Sequence, residues 1–268
     1  MNIYHCFPGG RYKALTMSYD DGTMHDRRLV EIFNRYGIKG TFNLNSGRLG
    51  EGQIIRPEEV ATLFAGHEVA THTVTHPTIA RCPGQQIIKE ITEDRQGLEA
   101  LVGTPVRGHA YPNGSYNDEV ISIFRNAGIV YGRVTTPTNG FNLPEDPMVW
   151  KPSCHHNSPE LMRLGRYLAE TDRKHIMHLL YVWGHSYEFA NNDNWEIIEE
   201  FCQLMGGRED IWYATNIQII DYLDVLKRLQ YFADGTAVYN PSAQSAWLEI
   251  DKSRIVEIPG GTLVDLTK

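Results

Sequence analysis

The sequence predicts an α/β fold, a distorted (β/α) barrel of seven or eight units with a small C-terminal β appendage. Short β-rich runs alternate with helical patterns along most of the 268 residues, as expected for a parallel sheet built from βα units. Roughly seven such units fit into about 230 residues, a density that suits a closed or nearly closed barrel better than an open sheet. Beyond Gly235 the pattern changes to short alternating strands separated by Pro and Gly turns.

The elements follow in order. Ala14 to Tyr19 reads as the first strand, followed by a helix near Asp26 to Tyr36. Gly40 to Leu44 precedes a short helix after Pro57, and Glu68 to Thr71 precedes a long helix from about Pro83 to Val102. Val106 to Ala110 leads into a helix from Asn117 to Ala127, and Ile129 to Gly132 leads into an irregular stretch. Ile176 to Val182 follows a helix near Ser158 to Glu170, and Ile211 to Ala214 lies between two further helices. These divisions give a barrel over residues 1–234 and β strands over 235–268, packed on the barrel because no long linker separates them. No internal repeat is present beyond the βα rhythm.

A formal charge of -8 and the lack of any Lys/Arg run exclude a nucleic-acid partner, whose backbone demands a basic footprint. The first residues, MNIYHCFPGGRYKALTMSYDDG, lack a basic start and an apolar core, and no segment reaches 18 apolar residues. The expectation is a cytoplasmic chain with no membrane segment. Cys6, Cys82, Cys154 and Cys202 form no CxxC pair and read as four unrelated thiols. Oligomeric state leaves no mark on the sequence.

Chemistry concentrates at strand ends. The first strand runs into Asp20-Asp21-Gly22, two carboxylates side by side where a glycine permits a sharp turn. Asp-Gly is also a common solvated turn; alternatively, a cation neutralises one carboxylate and leaves the other as a base. The third strand ends in His72-Thr73-Val74-Thr75-His76, two imidazoles four residues apart that share a face if the segment makes a helical turn. No glutamate follows His72, so this is not the HExxH pattern. One carboxylate and two imidazoles from two strand ends make a three-ligand set with open positions, the layout of a catalytic rather than a structural metal site.

This constellation resembles the polysaccharide deacetylases, the NodB-homology domain of carbohydrate esterase family 4, over roughly residues 12 to 230. Asp20-Asp21-Gly22, behind Thr16-Met17-Ser18-Tyr19, is similar to the family's T-F-D-D-G motif, and His72 to His76 to its H-[ST]-x-x-H motif. The resemblance implies one divalent metal ion, zinc first, with cobalt, nickel and manganese as alternatives, held by Asp21, His72 and His76. It implies that Asp20 is the general base and that the substrate is an acetylated sugar or oligosaccharide, deacetylated at nitrogen or oxygen. The family's R-x-P-[YF] motif is met only in part by Arg107 to Gly114: Ala110 stands in the arginine's place, with Arg107 as a substitute. The following Tyr111-Pro112-Asn113-Gly114 offers Tyr111 to the substrate and the Asn113 backbone N–H to the developing oxyanion, or is simply a turn.

His185, at the end of LLYVWGH, resembles the histidine of the L-x-H motif, which protonates the leaving group, with Trp183 in the leucine's position as a pocket wall or as plain core packing. The family's D-x-x-D-W motif has no counterpart, so the partner of His185 is open among Glu188, Asp146 and Asp172. The loop from Arg133 to Asn157 carries Trp150 and Cys154-His155-His156, residues that line a substrate groove or, for the last two, form a surface histidine pair, the reading preferred. Two other functions stay open: hydrolysis of a small cyclic amide or imide on the same fold, and carbohydrate binding without catalysis.

Overall fold

The structure, a computed structural model, describes residues 1–268. After a short strand β1 (Ile3–Cys6), the chain enters the central strand β2 (Lys13–Asp20), whose eight residues are all buried. A strand covered on both faces has no reason to alternate apolar and polar residues. From β2 the chain runs through α1 (Asp26–Tyr36), β3 (Gly40–Leu44), α2 (Val60–Leu63), β4 (Glu68–Thr71), α3 (Gly84–Val102), β5 (Gly108–Ala110), α4 (Asp118–Asn126) and β6 (Tyr131–Arg133). A long loop leads to β7 (Cys154–His155), followed by α5 (Leu161–Glu170), β8 (His178–Gly184), α6 (Ser186–Asn191), α7 (Glu196–Met205), β9 (Ile211–Tyr213) and α8 (Asn216–Arg228).

The strands form one parallel sheet in the order β6-β5-β4-β3-β2-β8-β7, with β9 added beside the first residues of β2. The sheet curls into a distorted (β/α) barrel, and residues 150–156 join its two edges. Trp150 N donates to Gly132 O at 2.9 Å and Val134 N to Trp150 O at 3.0 Å, while Ser153 N donates to Tyr181 O at 2.8 Å. The stretch expected to be irregular after Gly132 therefore contains both β7 and the seam of the barrel.

Side-chain alternation along each strand sorts residues between the helices and the lumen. Leu15, Met17 and Tyr19 of β2 share the largest core cluster with Phe33 of α1, Leu164 of α5 and Phe201 of α7. Thr16, Ser18 and Asp20 take the opposite face, where Thr16 Oγ1 donates to Asn216 Oδ1 at 2.8 Å and Asn43 Nδ2 donates to Ser18 Oγ at 2.9 Å. The lumen is thus polar along this strand, and Asp20 is its last inward residue. Gly108 of β5 is small because the Tyr131 ring crosses the lumen beside it: a Cβ there would lie 2.2 Å from the Tyr131 hydroxyl.

The last strands are β10 (Gln230–Tyr231), β11 (Ala237–Tyr239), β12 (Ala246–Ile250), β13 (Arg254–Ile258) and β14 (Leu263–Asp265). They form two small antiparallel sheets, β10-β11-β14 and β1-β12-β13, the second of which recruits the N-terminal strand. Val238, Leu248 and Ile258 share a core cluster with Phe7 and with Ile219 and Tyr222 of α8. The Tyr222 hydroxyl fastens this layer, donating to Cys6 O at 2.6 Å and accepting from Trp247 N at 3.1 Å. All four cysteines are free thiols, and no helix is long and apolar enough to cross a membrane.

Candidate active site

Asp20 ends β2 inside the lumen, and Asp21 follows with φ at 76°, a left-handed conformation that Asp tolerates better than most residues. The Asp20 carboxylate is buried. Asn43 Nδ2 donates to its Oδ1 at 2.8 Å, and the Arg133 guanidinium donates to its Oδ2. Burial alone would raise the pKa of this carboxyl; Arg133 and the neighbouring imidazoles outweigh burial and bring it down to about 2.

Arg133 was not expected here. It ends β6, fully buried, and stands directly opposite Ala110 in the β5–β6 ladder. Ala110 is the residue that occupies the family arginine's place, so the guanidinium reaches the Asp20 carboxylate from one strand further along the sheet. It also lies over the Trp183 ring, 4.4 Å from the centroid. Arg107, the substitute suggested by sequence, pairs instead with Asp221 at 2.6 Å, because it precedes β5 at the other end of the barrel.

His72 and His76 come together, but not on a helical turn. The segment is a loop in which Thr73 and His76 have φ of 65° and 62°, and the two rings lie 4.8 Å apart. Residues of β3, α3 and the loop after β3 force that shape. Asn45 Nδ2 donates to His72 O at 2.5 Å and Thr73 O at 2.9 Å, the Asp94 carboxylate accepts from His72 N at 2.9 Å, and Glu90 accepts from Thr75 N at 2.9 Å. Glu90 and Asp94 sit on the buried face of α3 with Ile87, Ile91 and Leu98, a pair of acids in an apolar stripe that the sequence already displays.

His72 Nδ1–H donates to Ala110 O at 2.7 Å, which leaves the lone pair of Nε2 facing Asp21. Burial lowers the His72 pKa and keeps the ring neutral. Asp21 Oδ1 lies 3.8 Å from His72 Nε2 and 3.6 Å from His76 Nε2, and it is buried without a hydrogen-bond partner. Metal–ligand bonds of about 2.0 to 2.2 Å put neighbouring donors up to about 4 Å apart; both Asp21–imidazole separations meet that limit and all three donors lie within 4.8 Å of one another, an arrangement open to one first-row divalent cation. The unpartnered oxygen is the observation that favours the fit.

His185 follows β8 and caps α6. Its Nε2 lies 3.9 Å from Asp20 Oδ2 and 4.0 Å from Asp21 Oδ2, while its Nδ1 lies 3.1 Å from Glu188 Oε1. Burial opposes protonation of this ring, but the Glu188 hydrogen bond and the two aspartates prevail and raise its pKa. Glu188 is thus the partner among the three carboxylates considered; Asp146 pairs with Arg125 at 2.9 Å on the surface, and Asp172 is exposed. Trp183 is half-buried beside His185, with ring centroids 5.7 Å apart.

Two expectations change. His155 and His156 are not a surface pair: His156 is fully buried between Tyr19 and Phe189. Tyr111 is buried too, with its hydroxyl donating to Met148 O at 3.0 Å, so the ring serves the core and not a substrate. Asn113 sits in the turn after β5 with φ at 58°, exposed, and its backbone N–H makes no hydrogen bond within the chain.

Fold and site together define a (β/α)-barrel protein with a candidate metal centre and a buried carboxylate–guanidinium pair at the strand ends. Residues 9–132 match the polysaccharide deacetylase family. A chitooligosaccharide deacetylase of Sinorhizobium fredii is 26% identical over 120 residues, 43% of this chain and 54% of the relative. The chain spans about half the length of that relative and of a second rhizobial deacetylase. A solved structure from Mycobacterium smegmatis shares the fold with a TM-score of 0.63 at 15% identity, covering 82% of this chain and 93% of the other. A family 4 carbohydrate esterase from Streptomyces lividans, in complex with acetate, gives 0.51 at 15% identity over 76% and 92% of the two chains. The family match over residues 9–132 takes in a little under half of the chain.

Proposed function

We propose that the protein is a metal-dependent hydrolase that removes an N- or O-linked acetyl group from a carbohydrate. One observation carries the reading: a buried carboxylate, Asp20, is kept ionised by Arg133 directly beside the Asp21–His72–His76 donor set. When bound by those three residues, a divalent cation supplies Lewis acidity toward water and the acetyl carbonyl.

The chain's own groups divide the remaining work. Asp20 Oδ2 accepts the proton of the attacking water; Asn43 and Arg133 hold that carboxylate in one orientation. The Arg133 position over Trp183 keeps the guanidinium from turning away from the base. His185 faces the aspartates with Nε2 and, as the imidazolium that its raised pKa favours, delivers the Nε2 proton to the departing amine or alkoxide, while Glu188 holds its Nδ1–H. The free N–H of Asn113 is the donor for the oxyanion, and Trp183 walls the space for the acetyl methyl.

Elemental analysis tests the donor set: about one divalent ion per chain is expected, lost in His72→Ala and His76→Ala. Asp20→Asn deletes a base and no ligand, so it retains the ion and loses roughly 10²- to 10⁴-fold in acetate release. A metal-free wild-type chain, or an Asp20→Asn variant at full rate, overturns the reading. Acetate release across N- and O-acetylated mono- and oligosaccharides, with cyclic amides as competitors, identifies the substrate.

A further inference from the structure

The residues around Glu188 form a structure of their own. Glu188 lies in the first turn of α6, and four groups surround its two oxygens. His185 Nδ1 approaches Oε1 at 3.1 Å. On the other oxygen, His156 Nε2 lies at 2.8 Å, His155 Nε2 at 3.3 Å and Asn157 Nδ2 at 3.1 Å. His156 Nε2 approaches that oxygen closely without an aligned hydrogen bond, and neither of its ring nitrogens has another partner, so the contact is a close polar one. These groups hold the Glu188 carboxyl well below the usual range despite its partial burial.

The tautomers follow from the network. Asn157 N–H donates to His155 Nδ1 at 3.1 Å, so that nitrogen is the acceptor and Nε2 carries the proton toward Glu188. An acceptor-only carboxylate facing His185 likewise places that ring's proton on Nδ1. His185 Nε2 is then the nitrogen turned toward Asp20 and Asp21.

His156 is built in rather than incidental. Its ring stacks on Phe189 at 4.0 Å and on Tyr19 at 5.6 Å. It occupies the place of a side chain on β8: a Cβ on Gly184 would lie 2.1 Å from His156 Nδ1. A core position with aromatic walls and a glycine-made recess would suit a phenylalanine by packing alone, yet it holds an imidazole aimed at Glu188.

From this geometry we infer that His156, supported by His155, is a positioning residue for the reaction. It clamps Glu188 Oε2 so that Oε1 is presented to His185 Nδ1 and the ring is fixed with Nε2 toward the substrate. The inference deepens the proposed function and rests on it in one respect, the assignment of His185 as the acid that protonates the leaving group.

The test separates an acid defect from general damage. His156→Phe keeps the stacking and removes the donor; His156→Gln offers an N–H near the position of Nε2. The two variants are compared with wild type on an N-acetylglucosamine oligosaccharide, whose amine must be protonated to leave, and on 4-nitrophenyl acetate, whose phenolate leaves without a proton. Expected for His156→Phe is a fall of about tenfold or more in kcat on the sugar with KM unchanged, near-normal aryl ester hydrolysis, and partial recovery in His156→Gln. Imidazole ¹⁵N shifts of the intact protein, recorded at a pH where the His185 ring is neutral, give the second readout: the Nδ1–H tautomer dominates in wild type and loses that dominance in His156→Phe.

Equal losses on both substrates, or unchanged kinetics with an unchanged His185 tautomer, overturn the clamp. If wild type leaves the sugar untouched, the proposed function fails, while the tautomer comparison still decides the role of His156. A His156→Phe chain that does not fold passes the test to His155→Phe, expected to show a weaker form of the same substrate split; its absence overturns the clamp as well.

Discussion

Two buried carboxylates in the same lumen have opposite electrostatic fates. Asp20, at the mouth, faces a guanidinium and is held down to about 2. Glu68, at the start of β4 and the other end of the lumen, faces only neutral donors: Thr41 Oγ1 at 2.9 Å, the Tyr131 hydroxyl at 2.7 Å and Ile217 N–H at 2.9 Å. Burial outweighs those hydrogen bonds and pushes its pKa up to about 7. Hydrogen bonds alone make a structural carboxyl in this barrel; adding one arginine makes a charge available for chemistry.

Removing the arginine breaks the contrast most severely. Arg133→Ala leaves Asp20 buried without its cation, an arrangement expected to cost about 3 to 5 kcal/mol in urea unfolding and to abolish acetate release. Pairing it with Ala110→Arg, on the ladder-opposite residue, is expected to recover part of both. Recovery in the double variant distinguishes a requirement for a guanidinium at this level of the barrel from a requirement for strand β6 itself.

The Glu68 side of the contrast is read from pH. The folded chain binds the Glu68 proton more tightly than the unfolded chain, so its contribution to stability is full below about 4.5 and declines as pH rises toward 7. At about 1.4 kcal/mol per unit the decline is at most about 3.5 kcal/mol. Glu68→Gln is expected to flatten this part of the stability profile; an unchanged slope means that Glu68 is ionised in the fold. Asp20 has the opposite sign, its contribution being lost only as pH falls from about 3.8 toward 2.

Gly108→Ala strikes the wall between the two carboxylates. The new methyl meets the Tyr131 hydroxyl and displaces it from Glu68, an overpacking expected to cost about 1 to 3 kcal/mol in thermal or urea unfolding. The smallest effect belongs to Arg107→Ala. Its exposed pair with Asp221 is worth about 0.2 to 1 kcal/mol, and acetate release is expected to stay at the normal rate. A large activity loss there would return the supporting role from Arg133 to Arg107.

What was legible in the sequence was local. Strand β2 and its two aspartates stand out because an uninterrupted buried run ends in charges. His72 and His76 stand out by spacing, although left-handed Thr73 and His76, pinned by acids from α3, bring them together where a helical turn was expected. Arg133 was hidden because its role depends on ladder register: nothing in Tyr131-Gly132-Arg133 says that it stands opposite Ala110. His156 was hidden for a similar reason, since its burial is made by Tyr19, Gly184 and Phe189 from distant parts of the chain. Strand β1 was missed because its partner, β12, lies more than two hundred residues away.

The seam at residues 150–156 gives the barrel an uneven opening profile. Its sides are joined by a few backbone hydrogen bonds, with Arg133 on one side and Trp183 on the other. Hydrogen exchange at Val134, Trp150 and Ser153 should therefore report a sub-global opening that precedes release of the β2–β3–β4 ladder. Each such opening would lift the guanidinium from its aromatic ring, making the seam's breathing rate the lifetime of an assembled site.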